Sequence, residues 1–193
     1  MTPSHCFSVS WAAPIVPSIS LAGIPLGVNA EVLGRVLLKN LVDVASQLYK
    51  FENAPILRLR THGLDDFGNG GYSFSLFDDA VINNLLKGTP ALSIMLREGK
   101  VYAIKVYDFS FSGEFSRELI YKGVLPARIG LGSLVSDLLP FTSLEFDSTE
   151  EWFNTDEDYG GLEVTGWGVP LEDHPDQIIT ALCVISGTIA QVR

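Results

Sequence analysis

The chain has 193 residues, of which 47% are apolar and 19% are charged, and its formal net charge is −10. This composition excludes a disordered chain, and the length suffices for a core that needs no disulfide or metal to hold it. The negative charge argues against nucleic acid and anionic membrane surfaces as partners and favours basic proteins.

The negative charge is concentrated in residues 129–192, which we name the acidic third. These residues include no Lys or Arg, whereas the first 128 residues are nearly balanced, with eleven acidic and twelve basic side chains. The carboxylates of the acidic third are Asp137, Glu145, Asp147, Glu150, Glu151, Asp156, Glu157, Asp158, Glu163, Glu172, Asp173 and Asp176. A field this one-sided increases the rate of encounter with a basic partner.

Residues 1–28 are mostly apolar or small, and we expect them to form an extended arm packed on the core. Pro14, Pro17 and Pro25 interrupt any helix in this stretch, and no Lys or Arg precedes the apolar run, so it differs from a signal peptide. No run reaches the length of about 18 apolar residues that a membrane-spanning helix needs. Residues 29–193 are expected to form a single α+β domain.

The two cysteines, Cys6 and Cys183, lie near opposite ends of the chain and belong to no CxxC motif. This usage is typical of a reducing compartment, and we expect a cytoplasmic protein. The alternative is a disulfide that joins the two ends of the chain.

The clearest helical pattern covers about residues 30–50. Asn29 is a favourable N-cap, and Glu31 and Lys50 complement the two ends of the helix dipole. An apolar stripe with spacings of four, four, three and four residues consists of Leu33, Leu37, Leu41, Val44 and Leu48. The pattern predicts one long amphipathic helix.

Beyond residue 50 the apolar residues mostly alternate with polar ones, or form short runs, as they do in strands. The predicted strands cover residues 56–60, 72–76, 92–97, 101–107, 118–121, 144–146, 161–165 and 177–185. Glu98 and Gly99 join two of them in a β-hairpin. Short helices are predicted at 78–86 and 133–139. The fold class is therefore α+β, a mainly antiparallel sheet with one long amphipathic helix (about 30–50) and two or three short helices.

Residues with metal-ligating side chains do not form a recognisable motif. Asn154, Asp156 and Asp158 occur at alternate positions, but a calcium loop has Gly at its sixth position and Glu at its twelfth. Those positions hold Tyr159 and Thr165. We expect a solvated acidic loop, and neither a metal nor a cofactor.

Two loop histidines have acidic neighbours and supply an alternative reading. His62 precedes Asp65 and Asp66, and His174 follows Asp173. A carboxylate can orient an imidazole as a general base, so the chain could be a small hydrolase or ligand-binding enzyme. No nucleophile motif accompanies either histidine, and we expect no catalytic residue.

Aromatic residues within the acidic third suggest protein contact instead. Trp152 lies in the acidic run, and Trp167 follows in a Gly-rich segment. Large aromatics with a charged rim are typical of interfaces, whereas the alternative is that both tryptophans belong to the core. If this surface is an interface, the expected contact residues are Glu150, Glu151, Trp152, Asp156, Glu157, Asp158, Trp167, Glu172, Asp173 and Asp176. A third reading is an oligomeric scaffold that exchanges its N-terminal arm, and the oligomeric state stays open.

The layout of the acidic third resembles a known class of proteins. It runs KGVLPARIGLGSLVSDLL, then SLEFDSTEEWF, then GGLEVTGWGVPLEDHPDQIITALCVI. A glycine-rich turn before a short helix, an acidic D-x-x-E-E-W segment and a PLEDxPDQxI loop before a final strand resemble cytoplasmic immunity proteins of bacterial polymorphic toxin systems. Rhs, contact-dependent and type VI secretion toxins belong to such systems.

The resemblance covers about residues 122–185 and implies a non-enzymatic inhibitor that binds and neutralises one cognate toxin domain. The acidic composition fits a basic toxin domain, because many such toxins are basic nucleases. The class shares no catalytic residues, so none is transferred to this chain.

Overall fold

The computed structural model describes residues 7–77, 90–109, 114–157 and 159–186. The strands are β1 (Ser20–Leu21), β2 (Ile24–Pro25), β3 (Leu41–Asp43), β4 (Leu48–Lys50), β5 (Ile56–His62), β6 (Gly70–Leu76), β7 (Pro90–Arg97), β8 (Lys100–Tyr107), β9 (Leu144–Asp147), β10 (Trp152–Thr155), β11 (Leu162–Thr165) and β12 (Ala181–Ile185). The helices are α1 (Ala30–Leu38) and α2 (Glu114–Leu119), with 3₁₀ turns at Pro126–Arg128 and Val135–Leu138.

Ten of the strands form one antiparallel sheet in the order β3-β4-β5-β6-β7-β8-β12-β11-β10-β9. The first six strands follow one another as a meander, and the last four form a second meander that runs back towards it. β12 pairs with β8 and joins the two halves, with Cys183 opposite Lys105. β1 and β2 make a separate two-stranded ladder.

The two faces of the sheet differ in chemistry because side chains alternate along each strand. One cross-strand row on the inner face consists of Leu59, Phe74, Leu92, Val106, Leu182, Val164, Phe153 and Phe146. The neighbouring row on the outer face consists of Arg60, Ser73, Ser93, Lys105, Cys183, Glu163, Asn154 and Glu145. The inner row is apolar throughout, whereas the outer row passes from basic to acidic across the sheet.

The N-terminal segment and α1 pack against the inner face. Val9, Trp11 and Ile15 are buried with the sheet residues in one core cluster, as is Leu33 of α1. The indole nitrogen of Trp11 donates to the backbone oxygen of Leu119 at 2.7 Å. The apolar residues between 7 and 28 therefore contribute directly to the core.

The predicted long helix is wrong beyond Leu38. Asn29 does cap α1, its side chain accepting from the backbone N–H of Glu31 at 2.8 Å, but Leu41–Asp43 and Leu48–Lys50 form a hairpin instead of further helical turns. Val44, a member of the supposed buried stripe, is 71% exposed. The β-branched residues Val42 and Val44 have low helix propensity. In place of helical hydrogen bonds, the backbone of β4 pairs with that of β5.

This correction changes the fold class. The described residues form a mainly antiparallel β structure with two helices, and only α1 exceeds seven residues. The hairpin predicted at 92–97 and 101–107 is confirmed as β7 and β8. The strand predicted at 118–121 is wrong, because residues up to Leu119 belong to α2.

Some predictions fall outside the described residues. They concern the helix at 78–86, Cys6 and Asp158. Among the helices that the structure does describe, we find none with the length and apolar character needed to cross a membrane.

Candidate partner-binding site

The connection between β11 and β12 is organised around one buried side chain. Gln177 is 0% exposed, and its side-chain oxygen accepts from the backbone N–H of Trp167 at 3.1 Å. Its amide nitrogen donates to the backbone oxygens of Val169 and His174, each at 3.0 Å. These bonds replace the water that a polar side chain loses on burial, and they hold the connection in one shape.

Glycine is required next to this side chain. A Cβ on Gly166 would lie 2.4 Å from the side-chain oxygen of Gln177. Any larger residue would therefore separate Trp167 from the glutamine that positions it.

Trp167 is displayed at the surface by this arrangement. Its side chain is 50% exposed, and its ring lies 5.4 Å from that of His174 in an edge-to-face contact. Of the two readings of this residue, core or surface, the structure places it at the surface.

The turn between β9 and β10 lies against the same connection. Thr165 at the end of β11 donates from its hydroxyl to the backbone oxygen of Glu151 at 2.7 Å. A Cβ on Gly168 would lie 2.9 Å from a carboxylate oxygen of Glu151, so this carboxylate sits beside the residue that follows Trp167. The two loops therefore present one continuous surface.

We name this surface the acidic end. Its exposed carboxylates lie on the β9–β10 turn and on the β11–β12 connection, which also carries Trp167. It consists of Glu150, Glu151, Trp167, Glu172, Asp173 and Asp176. Sequence reasoning selected all six residues but assigned no role to Gln177, whose only signal is an uncharged polar residue between an acidic loop and an apolar strand.

Trp152 lies beside the acidic end but in a different environment. It begins β10, is half-buried, and carries the Lys105 ammonium over its ring at 4.4 Å. This cation–π contact covers one face of the ring. Trp152 is therefore part of the outer sheet face rather than of the exposed loops.

Asp156 and Glu157 lie at the opposite end of β10, on the connection to β11. The Asp156 carboxylate accepts from the backbone N–H groups of Ser143 at 2.8 Å and Tyr159 at 3.1 Å. The bond from Ser143 contributes most to a lowered pKa of this carboxyl. Asp156 thus stabilises a loop, and the predicted contact residues divide between two ends of the sheet.

The groups considered for chemistry are engaged in structural contacts. Asp65, the candidate partner of His62, accepts from the backbone N–H groups of Phe67 and Asn69 at 2.9 and 2.8 Å. Burial raises the pKa of the Cys183 thiol to about 12, so it is a poor nucleophile. Within the described parts of the chain, no three His, Cys, Asp or Glu side chains converge to hold a metal ion.

Comparisons with protein-family models, curated proteins and solved structures found no match to this chain.

Proposed function

We propose that this protein is a non-enzymatic inhibitor that binds and neutralises a cognate bacterial toxin domain through the acidic end. The observation that carries the proposal is the half-exposed Trp167, fixed by the buried Gln177 and flanked by carboxylates. Binding energy at protein interfaces concentrates in a few large side chains at the centre of a patch, with Trp prominent among them.

Rigidity of the loop supports this role. A loop backbone that is already ordered loses less conformational entropy on binding than a mobile one. The hydrogen bonds from the Gln177 side chain to the backbone of this loop therefore favour tight binding at Trp167.

The charge around Trp167 indicates the class of partner. Glu172, Asp173 and Asp176 are all exposed on the same connection, and no Lys or Arg occurs between residues 129 and 192. Opposite charge on the partner would steer association, so we propose a basic toxin domain. The rate of association then decreases as salt is added, because salt screens these charges.

The test is binding to the toxin domain encoded directly upstream, measured by surface plasmon resonance. The double variant Glu172→Lys, Asp173→Lys reverses two charges at the acidic end. Its matched control, Glu52→Lys with Glu98→Lys, reverses two exposed carboxylates elsewhere on the chain. We expect the first variant to lower the association rate at least tenfold and the control to change it less than threefold.

Failure to bind that toxin domain would remove the proposal. If the two double variants lower the association rate equally, the acidic end has no specific role and the net charge of the protein alone explains the effect.

One observation favours the alternative function, a hydrolase or ligand-binding enzyme that uses a histidine. His62, predicted to lie in a loop, is the last residue of β5 and lines a groove of about 690 Å³ on the outer face of the sheet. Hydrolysis of an ester or phosphoester panel, abolished by His62→Ala, would support this alternative.

A further inference from the structure

The groove beside His62 lies over strands β5 to β8, outside the acidic end. Its volume of about 690 Å³ is within the range of roughly 300–1,000 Å³ that small-molecule sites occupy. The loop between β5 and β6 borders it through Gly63 and Asn69.

Small residues form the floor of the groove. Gly71, Ser73 and Ser93 occupy neighbouring positions on β6 and β7. Gly71 is required by the sheet itself, because a Cβ there would lie 2.7 Å from the backbone oxygen of Ile94. The floor of the groove is therefore set by the backbone, and no side chain has to move for a ligand to enter.

A β-bulge brings an aromatic side chain to the groove. Met95 pairs with Ala103 and Leu96 with Val101, which leaves Tyr102 as an extra residue in β8. A bulge redirects the side chains around it, and bulges are frequent beside binding sites. Tyr102 lines the groove, and its hydroxyl lies 3.8 Å from the Met95 sulfur.

The charged side chains around the groove are basic. Arg97 and Lys105 line it together with the imidazole of His62, and among its described lining residues none is acidic. The Arg97 guanidinium lies over the Tyr102 ring, 4.5 Å from its centroid. Stacking on a ring leaves the N–H edges of a guanidinium directed outward, where they can bind two oxygens of a carboxylate or phosphate.

We propose that this groove binds a small molecule that bears an oxyanion, either a carboxylate or a phosphate. Arg97 supplies the positive charge, since the Lys105 ammonium is held over the Trp152 ring. Ser73 and Ser93 are hydroxyl donors on the floor, and the rings of Tyr102 and Tyr107 contact the body of the ligand. A small ligand fits better than a long polyanion, because the outer face becomes acidic at Glu163, two strands beyond Lys105.

Isothermal titration calorimetry with purified full-length protein tests this proposal. The phosphate probes are inorganic phosphate and adenosine monophosphate, and the carboxylate probes are citrate and benzoate. Adenosine is the uncharged counterpart of adenosine monophosphate, and benzamide is the uncharged counterpart of benzoate. We expect adenosine monophosphate, benzoate or both to bind at least tenfold more tightly than the uncharged counterpart. Whichever group of probes, phosphates or carboxylates, binds more tightly identifies the class of oxyanion.

Variants locate the binding. Arg97→Ala removes the exposed guanidinium, and Ser93→Glu places a carboxylate on the floor; we expect each to weaken binding at least tenfold. Arg35→Ala is the matched control, because it also removes one exposed Arg but lies on α1, which packs against the other face. A cooperative thermal unfolding transition, measured for each variant, is the check that the variant is folded.

Two results would overturn the proposal. One is the absence of saturable binding by all four anions. The other is binding that survives both Arg97→Ala and Ser93→Glu, which would place the anion elsewhere on the chain. Neither result bears on the toxin-binding proposal, since the acidic end lies outside the groove.

Discussion

Gln177 and Trp167 are joined by a hydrogen bond in which the backbone N–H of an exposed tryptophan donates to a completely buried glutamine side chain. The same side chain reaches the backbone of Val169 and His174, so one residue ties together the loop that carries the indole. Stability and partner binding are therefore linked at this position.

We predict that Gln177→Ala lowers the free energy of unfolding by about 1–3 kcal/mol, because it removes the part-buried hydrogen bonds that hold the backbone of Trp167, Val169 and His174. Equilibrium unfolding in urea measures this. Gln47→Ala is the matched control: its amide also donates to a backbone oxygen, that of Val44 at 2.7 Å, but the residue is exposed. We expect the control to change the free energy by less than about 0.5 kcal/mol. Similar losses in both variants would show that burial of Gln177 adds nothing.

Trp167→Ala should affect binding more than folding. Its ring is half exposed, so truncation should cost less stability than the roughly 3–5 kcal/mol expected for a fully buried Trp. Loss of a central anchor costs about 2 kcal/mol of binding energy, roughly 30-fold in Kd. Phe67→Ala removes an aromatic side chain that is 81% exposed on the β5–β6 loop and serves as the control. If both variants bind the toxin domain with wild-type affinity, Trp167 is not an anchor.

Some of the fold is predictable from local pattern. The β7–β8 hairpin follows from two alternating segments around Glu98–Gly99, and the start of α1 follows from Asn29. The end of α1 does not follow, because residues 41–48 have helical spacing by coincidence. Pairing of Leu48–Lys50 with β5, a tertiary interaction, decides their structure.

The candidate site is predictable in composition but not in arrangement. The sequence places carboxylates in loops, yet it does not say at which end of a strand each loop lies. That depends on β10 (Trp152–Thr155), a strand that the sequence did not predict, which separates Asp156 and Glu157 from Glu150 and Glu151. Burial of Gln177 is equally non-local, because its partners include the backbone of residues up to ten positions away.

Tyr121 connects the N-terminal segment to the core. Its hydroxyl donates to the backbone oxygen of Ala13 and accepts from the backbone N–H of Ala22 at 3.2 Å. Tyr121→Phe should lower the free energy of unfolding by about 1–3 kcal/mol, because both backbone groups lose their partner. Urea unfolding at neutral pH measures this. Tyr102→Phe, whose hydroxyl contacts the Met95 sulfur and no other hydrogen-bond partner among the described residues, is the control and should be nearly neutral.

The same residue predicts a dependence on alkaline pH. Burial raises the pKa of Tyr121 from its ordinary value near 10 to about 12, so the folded state holds the proton more tightly than the unfolded state. The resulting stability is complete below pH 10 and is lost as the pH rises through 12. We expect wild-type stability to decrease more steeply than that of Tyr121→Phe in this window. Parallel curves would contradict the assignment.

Asp156 predicts the opposite dependence, at acidic pH. Hydrogen bonds from Ser143 and Tyr159 lower its pKa below the ordinary value near 3.8, so the folded state favours the charged carboxylate. Its stabilising effect is present above that value and is lost as the pH falls through the lowered pKa. Asp156→Asn should therefore be less stable than wild type at pH 7, with the difference shrinking below about pH 4. Urea midpoints across this range measure it, with Glu157→Gln as the control for an exposed carboxylate in the same loop. A difference that persists undiminished into strong acid would mean that geometry, and not charge, accounts for the role of Asp156.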